Sequence, residues 1–144
     1  MANICLLIGT TAPLDQVMAA LNTIEGLSKW WTTHTSGSTA PGDIIHFRFP
    51  DNGTDMRVLE STDRRVVWES VAEPDEWRGT HLSFDVSEQD GQTIVMFKHA
   101  GWADETPFFH HCSTKWGVFM ISLKSYLDTG AGQPFPNDTQ ITVD

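Results

Sequence analysis

The feature that most constrains the fold is a long apolar stripe near the C-terminus. From about Thr106 to Asp128 the apolar residues recur every three or four positions, which predicts one amphipathic helix of about six turns. Pro107 suits the first turn of such a helix, and Gly130 suits the position just after its end. The stripe consists of Phe108, Cys112, Trp116, Phe119, Met120, Leu123 and Leu127.

The part of the chain before this helix predicts a sheet. Residues 4–8 form a short apolar run typical of a strand, and Ala12-Pro13 favours the start of the first of two short helices. From Ile44 to His99 the apolar residues alternate, with turn signals such as Asp90-Gly91 between the segments. Such strands need a cover for their apolar face. We therefore expect an α+β fold in which a curved antiparallel sheet of six or seven strands wraps around the long C-terminal helix.

Length and charge limit the classes of protein to consider. The 144 residues suit one domain, which we place at residues 1–135, followed by a flexible, polar tail over residues 136–144. The net charge of −10 repels phosphate backbones and anionic lipid, so we expect neither nucleic acid nor a membrane as a partner. The N-terminus lacks the basic segment of a secretory signal, which predicts a cytoplasmic protein with both cysteines, Cys5 and Cys112, reduced and buried.

Several local motifs resemble the START-like superfamily, also called SRPBCC, whose members have the helix-grip fold. The resemblance covers about residues 2–135 and is strongest for the bacterial homologues of the activator of the heat-shock-protein ATPase. The motifs that carry it are Leu27-x-x-Trp30-Trp31, Trp77-x-Gly79-Thr80-x-Leu82-x-Phe84-Asp85, Phe97-x-His99-x-Gly101-Trp102 and Cys112-Ser113-x-x-Trp116.

The resemblance implies a cavity between the concave face of the sheet and the last helix, mostly apolar with a few polar groups. The leading hypothesis is that this cavity binds an apolar or aromatic small molecule without catalysis. One alternative is a cyclase-like or hydratase-like enzyme that uses the same cavity. Another is a chaperone ATPase co-regulator that acts through protein–protein contact in a stress response. We expect no cofactor, and a monomer and a homodimer both stay open.

The predicted ligand-binding residues come from two facing surfaces. The helix contributes the first part of its stripe, and the sheet contributes the inward side chains of three strands. His99 and one of two adjacent tryptophans add polar contacts. The full set is Phe108, Cys112, Trp116, Phe119 and Met120 on the helix, Trp68, Leu82, Phe84, Val95, Phe97 and His99 on the sheet, and Trp30 and Trp31.

Some of these side chains have two interpretations. His99 shares a strand face with apolar residues, so it is either a core histidine bonded to a backbone carbonyl or a group that orients a ligand. Of Trp30 and Trp31, one plugs the core, and the other either covers the rim of the sheet or walls a ligand pocket. Cys112 is either a reactive thiol or, more in keeping with apolar surroundings that raise its pKa, an inert one.

Patterns for metals and nucleophiles are missing from the sequence. His110 and His111 are adjacent, and neighbours on a helix diverge by about 100°, so they cannot easily bind one ion. No G-x-S-x-G motif and no phosphate-binding loop occurs. We therefore expect no metal and assign no catalytic residue. His46 and Arg48 lie either on the solvent face of their strand or in the polar part of the cavity.

Overall fold

The computed structural model describes residues 1–143, which form seven strands, three α-helices and one single-turn 3₁₀ helix. The elements are β1 (Ala2–Thr10), α1 (Leu14–Asn22), α2 (Ile24–Ser28), β2 (Thr35–Gly37), β3 (Ile44–Phe49), β4 (Asn52–Ser61), β5 (Arg65–Ser70), the 3₁₀ helix (Asp75–Trp77), β6 (His81–Gln89), β7 (Gln92–Trp102) and α3 (Pro107–Thr129). The strands make one antiparallel sheet in the order β1-β7-β6-β5-β4-β3-β2, so β1 and β2 are its edges. The predicted α+β helix-grip fold is thus confirmed, with seven strands.

Helix α3 begins and ends where its sequence signals predict. The Thr106 hydroxyl accepts a hydrogen bond from the Phe109 backbone N–H at 3.2 Å, which caps the first turn. Gly130 ends the helix in the left-handed conformation, with φ of 86°. The buried face of α3 differs from the predicted stripe, because Phe109 and Ser122 are buried while Phe108 and Leu127 are half-buried. No helix within residues 1–143 is long and apolar enough to cross a membrane.

The concave face of the sheet is filled by side chains. The rings of Trp68 and Phe84 pack with centroids 5.1 Å apart, and Phe84 lies 5.1 Å from Phe97. Trp30 covers Phe84 from the helical side, at 6.1 Å. We name the residues that fill this space the palm core. They are at most 1% exposed: Trp30, Trp68, Leu82, Phe84, Val95, Phe97, His99 and Met120.

The segment after α3 returns to the body of the domain. The Phe135 backbone N–H donates to the Trp31 carbonyl at 2.8 Å, and the Thr33 N–H donates to the Phe135 carbonyl at 3.1 Å. Gly132 permits the close approach, because a Cβ atom there would lie 2.4 Å from the Lys29 carbonyl oxygen. The flexibility of residues 136–144 stays a prediction, and Asp144 lies outside the described residues. Residues 136–143 therefore follow a residue that is hydrogen-bonded to the connection between α2 and β2.

The outer face of the sheet carries charge and some apolar side chains. His46 and Arg48 lie on this solvent face and contact the Asp55 carboxylate at 2.7 and 2.8 Å. Burial alone would raise the pKa of Asp55, but the hydrogen bonds from His46 and Arg48 outweigh it and lower that pKa. The expectation that both cysteines are buried is wrong for Cys5, which is exposed because its side chain points outward from β1. Both cysteines are free thiols.

Candidate functional site

An open cleft of about 600 Å³ lies at one end of the palm core. Its walls come from the β3–β4 turn, the connection between β5 and β6, the N-terminal half of α3 and the segment after α3. The lining residues are Trp31, residues 49–54, Glu73, Pro74, Trp77, Phe108, His111, Cys112, Lys115, Trp116, Phe119, Phe135, Asp138 and Gln140. Seven of these side chains are aromatic rings of Trp or Phe, so the walls are mainly apolar.

The structure brings five of the thirteen predicted ligand-binding residues to the cleft: Trp31, Phe108, Cys112, Trp116 and Phe119. The other eight form the palm core and do not line it. These eight residues do not reach the cleft because both adjacent tryptophans point inward. Trp30 packs against the concave face of the sheet, and Trp31 lies between the palm core and the cleft. The Trp31 ring lies 4.0 Å from Phe47 and 4.8 Å from Trp116, measured between centroids.

His99 is a core residue with both ring nitrogens occupied. The Trp116 indole N–H donates to His99 Nδ1 at 3.2 Å, which leaves the proton on Nε2, 2.8 Å from the Thr80 hydroxyl. The Thr80 hydroxyl in turn donates to the Trp77 carbonyl. Burial lowers the pKa of His99 to about 3, so the ring is neutral. The partners of His99 are an indole and a hydroxyl, whereas the core interpretation named a backbone carbonyl.

This arrangement bears on the enzyme alternative. That hypothesis needs His99 beside a bound substrate, where it could transfer a proton. His99 is fully buried in the palm core and does not line the cleft. The geometry therefore gives proton transfer by His99 no support.

Cys112 lines the cleft as a protonated thiol. Burial, with a smaller contribution from the charge of Glu76, raises the pKa of Cys112 to about 12. The Trp77 indole N–H offsets part of this shift, although it does not reach the sulfur with hydrogen-bonding geometry. A thiol with so high a pKa is a poor nucleophile, which favours the inert interpretation.

Three residues that the sequence analysis missed give the cleft its polar character. Thr54 Oγ1, Trp77 Nε1 and Asp138 Oδ1 are buried and have no hydrogen-bond partner among residues 1–143. All three residues line the cleft and are at most 9% exposed. Two further buried atoms without a partner within the same range, Ser70 Oγ and Trp102 Nε1, belong to residues outside the cleft lining. An unpaired buried polar group costs about 1–3 kcal/mol.

An ion pair fixes the C-terminal side of the cleft. Lys115 on α3 pairs with Asp138 Oδ2 and donates to the Thr139 carbonyl at 2.7 Å. Its ammonium group also lies 5.4 Å from the Phe119 ring centroid. The Lys115 side chain is 20% exposed and that of Asp138 only 2%, so the pair is largely shielded from water. One oxygen of the Asp138 carboxylate is therefore neutralised by Lys115, and the other is the unpartnered Oδ1.

Sequence alone gives few signals for these residues. Trp77 follows Pro74 and Asp75 in a connection without apolar periodicity, and Asp138 lies in a stretch that reads as a tail. No group of three or more His, Cys, Asp and Glu side chains within residues 1–143 is placed to hold a metal ion.

Comparison with known proteins identifies the family. Residues 11–128 match the family described as Activator of Hsp90 ATPase homolog 1-like protein. A search of curated proteins gives no match. The solution structure of the Aha1 dimer from Colwellia psychrerythraea is 40% identical, has a TM-score of 0.85, and covers 92% of this chain and 100% of that chain.

More distant structures share the fold alone. CalU16 from Micromonospora echinospora is 19% identical with a TM-score of 0.79, covering 99% of this chain and 75% of that chain. A protein from Bacillus halodurans is 17% identical with a TM-score of 0.73, covering 89% of this chain and 98% of that chain. From the match over residues 11–128 and the 40% identity to the Colwellia protein, the chain belongs to the Activator of Hsp90 ATPase homolog 1-like family.

Proposed function

We propose that this protein binds an apolar or aromatic small molecule in the cleft and does not transform it. One observation carries the proposal: about 600 Å³ of aromatic-walled space stays open beside a core that is otherwise filled. Pockets for small molecules are typically about 300–1,000 Å³ and mainly apolar. The cleft has both properties.

The driving force for binding would be burial of apolar area. A fused aromatic body that buries about 200 Å² gains about 5 kcal/mol at ~25 cal/mol per Å², before the losses of translational and rotational freedom. The rings of Trp31, Trp77 and Trp116 line the cleft, so their fluorescence should report occupancy.

The test is a titration of intrinsic tryptophan fluorescence with naphthalene and N-phenyl-1-naphthylamine, compared between two variants of α3. Phe108→Glu places a charge in the cleft wall, whereas Ile121→Glu changes a side chain on the same helix that is 62% exposed. We expect saturable binding by the wild type and by Ile121→Glu, and at least about tenfold weaker binding by Phe108→Glu, because a charge in an apolar wall must be desolvated. Equal binding by all three proteins, or binding by none, contradicts the proposal.

We also infer a homodimer that uses the outer face beside β1. The Colwellia relative is described as a dimer. In this chain Leu7 and Met96 are direct cross-strand neighbours on that face, 57% and 41% exposed. Adjacent exposed apolar side chains next to an edge strand favour association with a second copy.

Sedimentation velocity of the wild type, Leu7→Lys and Leu59→Lys tests the dimer. Leu59 is also exposed, at 45%, but lies on β4, three strands away from β7. We expect Leu7→Lys to shift the protein to monomer and Leu59→Lys to leave the dimer intact. A wild type that is monomeric at high micromolar concentration rules the dimer out.

A further inference from the structure

The unpartnered polar atoms of the cleft come from three separate parts of the chain. Thr54 is on β4, Trp77 ends the 3₁₀ helix, and Asp138 lies in the segment after α3. Each belongs to a side chain that is at least nine-tenths buried and lines the same cleft. Buried polar atoms in folded proteins are nearly always paired, so three unpaired ones around one cavity call for a common explanation. A ligand with matching polar groups supplies one.

The chemistry of these atoms defines the matching ligand. A carboxylate oxygen can only accept a hydrogen bond, an indole N–H can only donate, and a threonine hydroxyl can do either. Asp138 Oδ1 therefore requires a donor, and Trp77 Nε1 requires an acceptor. A hydroxyl group on an aromatic ring provides both a donor and an acceptor while leaving most of the ligand apolar.

The charge of the cleft favours a neutral ligand. Lys115 already balances the charge of Asp138, so a charged ligand would bring an unbalanced charge between apolar walls. The remaining acidic groups of the lining, Asp51 and Glu73, repel anions. Carboxylates and phosphates are thus disfavoured.

Taking the proposed small-molecule site as its basis, we propose that the cleft selects neutral hydroxylated aromatic compounds, whose hydroxyl donates to Asp138 Oδ1 while the Trp77 indole N–H donates to an oxygen of the same ligand. Aromatic walls supply affinity, and the two polar atoms supply selectivity. A compound of the same shape without the hydroxyl proton leaves the Asp138 oxygen buried and unpaired, so it binds at least about tenfold more weakly.

The experiment compares two probes that differ in one proton donor. Isothermal titration calorimetry at pH 7 measures the Kd of 2-naphthol and of 2-methoxynaphthalene for the wild type, Asp138→Asn and Trp77→Phe. The wild type should prefer 2-naphthol by at least about tenfold. Asp138→Asn should reduce this preference to within about threefold, mainly through weaker binding of 2-naphthol, since the amide is a weaker acceptor than the carboxylate.

Trp77→Phe is the second variant, because it keeps an aromatic ring in the wall and removes only the N–H donor. Trp77→Phe should weaken the binding of 2-naphthol by about three- to tenfold. It should have less effect on the binding of 2-methoxynaphthalene, because the ether oxygen is a poorer acceptor. Asp138→Asn also loses its ion pair with Lys115 and could release the C-terminal segment. Such a purely structural effect would weaken the binding of both probes equally, and that result overturns the proposal.

The outcomes separate this inference from the proposed function. The selectivity for hydroxyl groups is refuted if the wild type binds 2-naphthol and 2-methoxynaphthalene equally and Phe108→Glu abolishes the binding of both. The cleft is then a purely apolar site. If neither naphthalene nor N-phenyl-1-naphthylamine binds, the small-molecule site itself is refuted. A tenfold preference that Asp138→Asn removes supports both.

Discussion

The palm core and the cleft are two halves of one aromatic cluster, joined at Trp31 and Trp116. Two polar side chains of the palm core have partners: the Trp30 indole N–H donates to the Ala20 carbonyl at 2.9 Å, and His99 is bonded through both ring nitrogens. In the cleft, Thr54, Trp77 and Asp138 each keep a buried polar atom without a partner among residues 1–143. An indole N–H is thus paired at Trp30 in the palm core and left without a partner among residues 1–143 at Trp77 in the cleft.

This difference separates stability from binding. A paired and close-packed region contributes to the free energy of unfolding through burial and hydrogen bonds. A region with open space and unpaired polar atoms contributes less to the free energy of unfolding in the unliganded protein. Its missing contacts and hydrogen bonds form only when a ligand fills the space. We therefore expect substitutions in the palm core to act on stability, and matched substitutions in the cleft to act on ligand affinity.

The largest expected effect comes from a matched pair of Phe→Ala substitutions. Phe84 in the palm core is fully buried, so Phe84→Ala should lower the free energy of unfolding by about 3–5 kcal/mol through lost burial and a new cavity. Phe108 is half-buried at the cleft, and Phe108→Ala should cost about 1 kcal/mol or less. Urea unfolding of both variants measures the difference. Equal losses would mean that the cleft is as tightly packed as the palm core.

The next effect concerns pH and His99. Because burial lowers the pKa of His99 from 6.5 to about 3, the unfolded chain binds a proton below pH 6.5 that the folded chain does not bind. The stability contributed by neutral His99 is therefore fully present above pH 6.5 and is lost as the pH falls toward 3. From pH 7.5 to pH 4.5 this single group should lower the free energy of unfolding by about 3 kcal/mol.

His99→Gln isolates that contribution. The variant keeps an amide near Thr80 and Trp116 but cannot titrate, and every other side chain is the same in both proteins. Its destabilisation relative to the wild type should therefore shrink by about 3 kcal/mol between pH 7.5 and pH 4.5. Parallel stability curves for the two proteins over this range would show that His99 is not held neutral in the palm core.

The fold could be predicted from sequence because its signals are local. Thr106, Pro107 and Gly130 define the ends of α3 through caps that depend only on neighbouring residues. The alternation of apolar residues fixes which side of each strand faces inward, and the palm core consists of such residues. These patterns predicted most of the element order, although not β2 or the 3₁₀ helix, and together with the family resemblance they gave the helix-grip architecture.

The cleft could not be predicted in the same way. Periodicity shows that Leu82 and Val95 face inward, but not whether the space in front of them is filled. Whether that space is filled depends on Trp30 and Trp31, which come from a different part of the chain and are buried. The position of Asp138 beside Lys115 depends on the return of the C-terminal segment along Trp31, for which no local pattern exists.

The smallest expected effect gives the sharpest test of the difference between the palm core and the cleft. It comes from the same substitution, Thr→Val, made beside the palm core and in the cleft wall. Thr80→Val removes the hydroxyl that pairs with His99 Nε2 and leaves that buried N–H without its acceptor, so it should cost about 1–3 kcal/mol. Thr54→Val removes a buried hydroxyl that has no partner among residues 1–143.

Replacing that unpaired hydroxyl by a methyl group of similar size should change the free energy of unfolding by less than about 0.5 kcal/mol, or raise it slightly. Thermal and urea unfolding of the two valine variants supply the measurement, with far-UV circular dichroism as the control for the fold. If Thr54→Val destabilises the protein as much as Thr80→Val, the Thr54 hydroxyl is paired in the unliganded protein. The part of the cleft wall around Thr54 would then be an ordinary part of the core. The distinction between a stabilising palm core and a binding cleft would not hold at Thr54.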